Sequence, residues 1–357
     1  MNAAIVHVAS GREWRGGQRQ VWLLARELAR RGVDQVVVTG RDTELARRLV
    51  DSRVPVRGVS WSAGLDPRVL PPLVAEIRSR RPLVHAHDSH ALSLAGTGAG
   101  LTGAPLIATR RVVFPLRHRG FWGRATRVIA ISGAVREALI VGGVPLERIT
   151  VIPDAVELSL PDSGADVRRT LQLPSSSQVA ITLGALTPEK GHSTLLAAAA
   201  VLVRDLPGLH WAMVGEGPER RSLERQIADL GLGGRVHLLG ALPDPHVALA
   251  GADVFVLSSL SEGLGSAVLA AMAAVVPVVA TAVGGVTELL APDRGLLVPP
   301  GDAPALGAAV RRVLSDEKLR VQLARAAGEA AREFGVGGMA ERVLEVYRSV
   351  AHSLGPS

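Results

Sequence analysis

The stretch from 253 to 288, DVFVLSSLSEGLGSAVLAAMAAVVPVVATAVGGVTE, constrains this chain more than any other. Its residue pattern predicts a buried strand at 253–257, a glycine-punctuated loop at 258–265 and a short apolar helix at 266–274. A second buried strand at 277–280 follows, then a turn at Gly284-Gly285. Two buried strands joined by a helix form a parallel unit, and α/β proteins place ligands at the carboxyl ends of such strands. The absence of any charge from Ala267 to Val283 could suggest a membrane helix, but Pro277 interrupts the run and it falls short of the roughly 20 residues a bilayer needs. A buried helix followed by a buried strand is the better reading. The loop carries one carboxylate, Glu262, and opens onto a helix amino terminus, which suits an anion such as a phosphorylated ligand.

The rest of the chain repeats this alternation in two series. The first opens with a strand at 4–9, the loop SGREWRGG and a helix at 18–30 that puts Val21, Leu24, Ala25 and Leu28 on one face. Gly16 and Gly17 either let the backbone approach a phosphate or make a tight turn needing positive φ. Further strands are expected at 35–39, 54–59, 83–87, 105–109, 128–131 and 149–152, with Asp66 and Ser132 capping helices. The aperiodic stretch 153–165 reads as a hinge. The second series then starts at 179–183, with the loops GALTPEKGH and GEGPE after its first two strands. A length of 357 residues fits two such domains. They are placed at 1–158 and 159–335, with a last helix at 336–357.

The chain has no cysteine, so disulfide and thiolate-metal chemistry are excluded and a reducing compartment fits. MNAAIVHVAS runs into a strand without a basic leader, so no secretion signal is expected and the location reads as cytoplasmic.

Residues 1–160 hold 23 Lys+Arg against 13 Asp+Glu, a charge of +10, while residues 161–357 hold 17 against 20, a charge of −3. A basic half attracts phosphate, anionic lipid or nucleic acid. The densest part runs from Arg110 to Arg127, with six arginines, Phe114, Phe121, Trp122 and no acid. It suits an anionic membrane surface; the plainer alternative is a solvated basic loop whose aromatics pack on the domain. No nucleic-acid recognition motif accompanies it. HAHDSH, at the end of the fourth strand, gathers His85, His87 and His90. A metal site is geometrically conceivable there, but no fixed ligand set follows, and a binding role for the strand-end histidine is preferred.

Taken together, GG in the first loop, GALTPEKGH, GEGPE, VHLLG, SEGLG, PVVAT and GGVTE resemble, in this order, the family-4 retaining glycosyltransferases of the GT-B fold. The resemblance implies two Rossmann-like doubly wound domains facing a cleft and no metal or other cofactor. A nucleotide-diphosphate sugar would be held mostly by the second domain, with the last helix crossing back to the first. It places Gly16 and Gly17 at the donor diphosphate, with Gly184 in the lysine loop and Lys190 neutralising the diphosphate as it leaves. Glu216 and Leu239 lie along the nucleoside. Glu262 meets the donor sugar, with backbone amides of Gly263, Leu264, Gly265 and Ser266 near sugar and phosphate. Glu262 and Lys190 are thus the candidate catalytic pair. His87, Arg110 and Arg111 fall on the acceptor side.

Departures accompany the match. The family's second glutamate, a ribose ligand, is Ala270 here. The usual glycine five residues later is Val275, which resists positive φ and is expected to shift the turn before Pro277. An arginine common in the lysine loop is Ala185, and a familiar histidine after the fifth strand is replaced by Arg110-Arg111. The leading expectation is a retaining enzyme transferring a hexose-like sugar to a cell-envelope acceptor, a polysaccharide or a glycolipid such as lipopolysaccharide, peripheral at the inner face of the membrane. The alternatives are a catalytically weakened GT-B protein serving as a binding or scaffold partner, and a nucleotide-sugar epimerase.

Overall fold

The computed structural model describes residues 4–62, 64–80, 82–116, 119–158, 166–242, 247–290 and 292–353. Arg117 and His118 of the basic segment, and 159–165 of the expected hinge, lie outside the described residues. The chain divides into two compact units, Met1–Ala155 with Val336–Ser357, and Val156–Gly335.

The first unit is built on β1 (Ile5–Val8), β2 (Gln35–Gly40), β3 (Val56–Val59), β4 (Leu83–Ala86), β5 (Leu106–Arg110), β6 (Arg127–Ala130) and β7 (Ile149–Val151). The second is built on β8 (Gln178–Leu183), β9 (Leu209–Val214), β10 (Val236–Gly240), β11 (Val254–Leu257), β12 (Val278–Thr281) and β13 (Leu296–Val298). The sheet orders are β3-β2-β1-β4-β5-β6-β7 and β10-β9-β8-β11-β12-β13. Every pairing is parallel. Strands such as IVHV and VFVL are buried along their whole length, as strands covered on both faces require. Each sheet is doubly wound, and strand order reverses between β1 and β4 in one unit and between β8 and β11 in the other, the points where this topology leaves a crevice at the carboxyl ends.

The uncharged run 267–283 resolves as expected into a buried helix, Ser266–Ala273, and the strand β12. Among the described residues no helix is long and apolar enough to cross a membrane. The expectation for Val275 is corrected: it adopts φ +58. The backbone amide of Val275 donates to the Met272 carbonyl and that of Val276 to the Ala271 carbonyl, both at 3.0 Å, and this paired closure holds the left-handed residue at the helix end. Its side chain finds packing over Gly328, where an added Cβ would lie 3.1 Å from Val275 Cγ2.

The first helix begins at Gly16, not Gln18, so Gly16 and Gly17 form its opening turn. Neither takes positive φ, which removes the tight-turn reading.

The last helix, Val336–His352, belongs to the first unit. Met339, Val343 and Val346 share a core with Leu24 and Leu28. Arg31 binds Glu341 at 2.5 Å and donates to the Gly337 carbonyl at 2.9 Å.

Candidate active site

In the second unit, the loops after β8 and β11, on the two sides of the strand-order reversal, are locked together. Ser258 Oγ donates to the Lys190 carbonyl at 3.0 Å, and the Leu260 amide to the Glu189 carbonyl at 2.7 Å. One glycine makes this closeness possible, and a second lets the loop after β12 close on the β11 loop. A Cβ on Gly191, at φ +61, would stand 2.3 Å from the Ser258 carbonyl oxygen, and one on Gly284 only 1.8 Å from that of Glu262. Across this seam Lys190 Nζ meets Glu262 Oε1 at 2.6 Å, and Ser259 Oγ donates to the same oxygen at 2.7 Å. The side chains are 22% and 11% exposed, so the pair is largely desolvated yet still reachable. Glycine stands at the head of the helices His192–Asp205 and Ser266–Ala273, and neither has a side-chain cap. Their first amides are left for a ligand or water.

Gly184 borders the lysine: a Cβ there would lie 3.8 Å from Lys190 Cδ. The loops after β8, β9 and β10 are stitched by Gly184 N to the Val214 carbonyl at 3.0 Å and Gly215 N to the Gly240 carbonyl at 2.8 Å. Glu216 therefore stands at the end of β10 beside Gly240, the residue after Leu239. Its Oε1 would lie 3.0 Å from a Cβ on Gly240, and it pairs with Arg220 at 2.6 Å. Gly263, Gly265 and Ser266 lie in the β11 loop and helix start. Leu264 is buried and offers only its backbone. Ala270 is also buried, so its methyl group packs in the core and gives no polar contact.

The first unit brings a different group together. His7 on β1 is in register with His85 on β4, and His87 follows on the same side. His7 Nδ1 lies 2.9 Å from His87 Nε2, while His85 bonds Tyr347 Oη at 2.6 Å and Thr109 Oγ1 at 2.7 Å. One ring nitrogen from each histidine lies within 4.8 Å of the others. Burial drives all three towards the neutral form: His7 is lowered to about 4, and His85 and His87 lie well below the usual histidine range. Neutral imidazole is the ligating form, yet the group contains no carboxylate, and an ion there would bury its charge uncompensated.

Three expectations are corrected here. His90 is not in the group; His7 takes its place. His87 is 4% exposed and faces His7 rather than solvent. Arg110, also 4% exposed, stacks over Trp122 at 5.2 Å and donates to the Phe114 carbonyl. It is the last residue of β5, so its neighbour Arg111 turns the other way. Arg111 binds Asp154 at 3.1 Å and the His87 carbonyl at 2.9 Å, and a Cβ on Gly17 would lie 3.8 Å from its Cδ. Of the acceptor-side trio, Arg111 alone combines partial exposure with a carboxyl-end position. Sequence reasoning missed Tyr347, His7 and Asp154; the polar His7 inside IVHV was the available signal.

Residues 14–160 match Glycosyltransferase Family 4, and residues 165–332 match Glycosyl transferases group 1. The 2-deoxystreptamine N-acetyl-D-glucosaminyltransferase of Streptomyces fradiae is 31% identical over 93% of this chain and 90% of its own length. The chain belongs to the family-4 glycosyltransferases. The lipopolysaccharide core biosynthesis glycosyltransferase LpsE of Rhizobium meliloti is 36% identical, but over only 44% of this glycosyltransferase and 45% of its own length. In fold, the enzyme is similar to Anabaena Alr3699/HepE in complex with UDP-glucose, with a TM-score of 0.87, 23% identity and coverage of 97% and 99%. It is also similar to WaaG, a glycosyltransferase involved in lipopolysaccharide biosynthesis, at a TM-score of 0.75, 17% identity and coverage of 96% and 99%. These neighbours establish the GT-B architecture.

Proposed function

We propose that this glycosyltransferase is a retaining, metal-independent enzyme that moves a hexose-like sugar from a nucleotide-diphosphate donor to a cell-envelope glycolipid or polysaccharide precursor, from a peripheral position at the inner face of the membrane. The observation that carries this reading is the Lys190–Glu262 pair, largely desolvated but reachable at the strand-order reversal of the second unit. Breaking a glycosyl–phosphate bond builds positive charge on the sugar and negative charge on the leaving oxygen. A carboxylate facing the sugar and an ammonium facing the phosphate stabilise both. Lys190 exchanges its carboxylate partner for the diphosphate when donor arrives, which frees Glu262 for the sugar. The acceptor hydroxyl forms the new bond on the face the nucleotide leaves. The departing phosphate oxygen takes its proton, so no separate base is required. HepE, solved with UDP-glucose, and LpsE, named for lipopolysaccharide core biosynthesis, supply the donor and acceptor classes by analogy.

The buried methyl of Ala270 favours one second reading, a weakened enzyme kept for binding. Losing a charge-assisted hydrogen bond to the ribose costs about 1.5–3 kcal/mol, on the order of tenfold to a hundredfold in donor affinity. Calorimetric titration with a panel of nucleotide sugars, with donor hydrolysis followed in EDTA for wild type and Ala270→Glu, tests both readings. Binding and turnover by the wild type are expected. No binding by either protein defeats the transferase reading, and turnover by the glutamate variant alone establishes the weakened one. Conversion of donor to its epimer without acceptor would point to an epimerase.

A further inference from the structure

The basic segment after β5 is only partly accounted for by the site. Two of its three aromatics pack inward: Trp122 is buried under Arg110, and Phe121 packs against Gly96, where a Cβ would lie 2.3 Å from its ring. Phe114, by contrast, is 53% exposed. The segment leans on a second element that the sequence did not connect with it, the turn after the helix Gly133–Val141. A Cβ on Gly142 would stand 2.5 Å from Leu116, Arg119 donates to the Gly143 carbonyl at 3.3 Å, and Arg148 donates to the Gly123 carbonyl at 2.9 Å. This turn carries Val141, 85% exposed, and Leu146, 59% exposed.

We propose that Phe114, Val141 and Leu146, rimmed by Arg119, Arg124 and Arg148, form one docking surface for an anionic lipid bilayer. Exposed apolar side chains beside arginines are what an interfacial surface needs: the apolar groups enter the acyl boundary while the guanidinium groups remain at the headgroups. Charge selects the occupant. Across 110–127 and 141–148 the sequence carries one acid, Glu147. A second copy docking through the same patch would therefore set arginine against arginine. Nucleic acid would use the arginines but leave Val141 and Leu146 without a role. The inference deepens the envelope-acceptor reading, but its test is independent, because donor binding and hydrolysis are measured without lipid.

Co-sedimentation of the full chain with vesicles of phosphatidylcholine alone, and with about 30% phosphatidylglycerol, measures the surface directly. Binding to the anionic vesicles only is expected, falling steeply between about 50 and about 300 mM salt. The double variants Arg119→Glu/Arg124→Glu and Val141→Ser/Leu146→Ser should each lower partitioning about tenfold while retaining a wild-type thermal transition. Equal binding to both vesicle types, no binding, or unaltered binding by Val141→Ser/Leu146→Ser would overturn the proposal. Self-association without vesicles that the same variant abolishes would reassign the patch to a second copy. RNA binding insensitive to that variant, without vesicle binding, would reassign it to nucleic acid.

Discussion

The two units share a topology yet use the reversal of strand order in opposite ways. In the second unit, the loops flanking it hold an ammonium and a carboxylate that touch at 2.6 Å and keep partial access to solvent. In the first, β1 and β4 with the turn after β4 hold three histidines, which are buried together with a tyrosine from the returning helix. The contrast separates two tasks. In the reaction proposed above, charges that change partners have to stay reachable, and partial desolvation strengthens them without locking them. Buried neutral groups fix geometry: the Thr109–His85–Tyr347 chain ties the returning helix to β4 and β5.

The largest expected effect breaks the second unit's side of this comparison. Glu262→Gln and Lys190→Ala should each lower kcat about 10²–10³-fold, the loss typical of removing one preorganised group that stabilises transition-state charge. Unfolding in urea should change by less than about 2 kcal/mol, since the partner left behind keeps access to water and is not stranded as a fully buried charge. Steady-state kinetics beside denaturation curves decide it. Large stability losses with ordinary turnover would make the pair a structural clamp.

The first unit responds to acid instead. His7, His85 and His87 have folded pKa values depressed by burial, so the unfolded chain binds protons that the folded chain refuses. Stability is therefore full above the unfolded value near 6.5 and falls as pH drops towards the folded values, at about 1.4 kcal/mol per unit for each histidine. Asp154, raised by its burial, acts in the opposite sense nearer the carboxylate range, so the clean window is about pH 7.5 to about pH 5. Four of the five tryptophans, Trp14, Trp22, Trp61 and Trp122, lie in the first unit, so a Trp211→Phe variant makes fluorescence report that unit alone. Its denaturation midpoint should fall by a few kcal/mol equivalent across the window. A flat profile would show that the cluster is already charged or open to water.

What was legible in the sequence followed the same division. Lys190, Glu216 and Glu262 sit in short glycine-bounded loops whose ordered set carries the family resemblance, and so the sequence could name them as candidates. That Lys190 and Glu262 touch was not, because the contact depends on β8 and β11 being neighbours, a fact of strand order. The histidine group required even more, since it depends on the β1–β4 register and on a helix some 260 residues further along the chain. Arg110 and Arg111 looked equivalent as a dipeptide, yet at a strand end one faces the core and the other the carboxyl-end loops.

Val275 gives the smallest and sharpest test, because there a local rule yields to a neighbour. A β-branched residue at φ +58 carries about 1–2 kcal/mol of strain. Its methyl contact over Gly328 returns part of that, although the side chain is still 54% exposed. Val275→Gly removes the strain, gives up the contact and adds the chain entropy that glycine loses on folding. The balance should stabilise the second unit by about 0.5–1 kcal/mol and raise its melting temperature by about 1–4 °C, without altering donor affinity. The buried Trp211 reports that unit's transition in a variant lacking the other four tryptophans. A loss of stability would mean that the packing over Gly328 outweighs the backbone, so that valine is the better residue for this particular helix end.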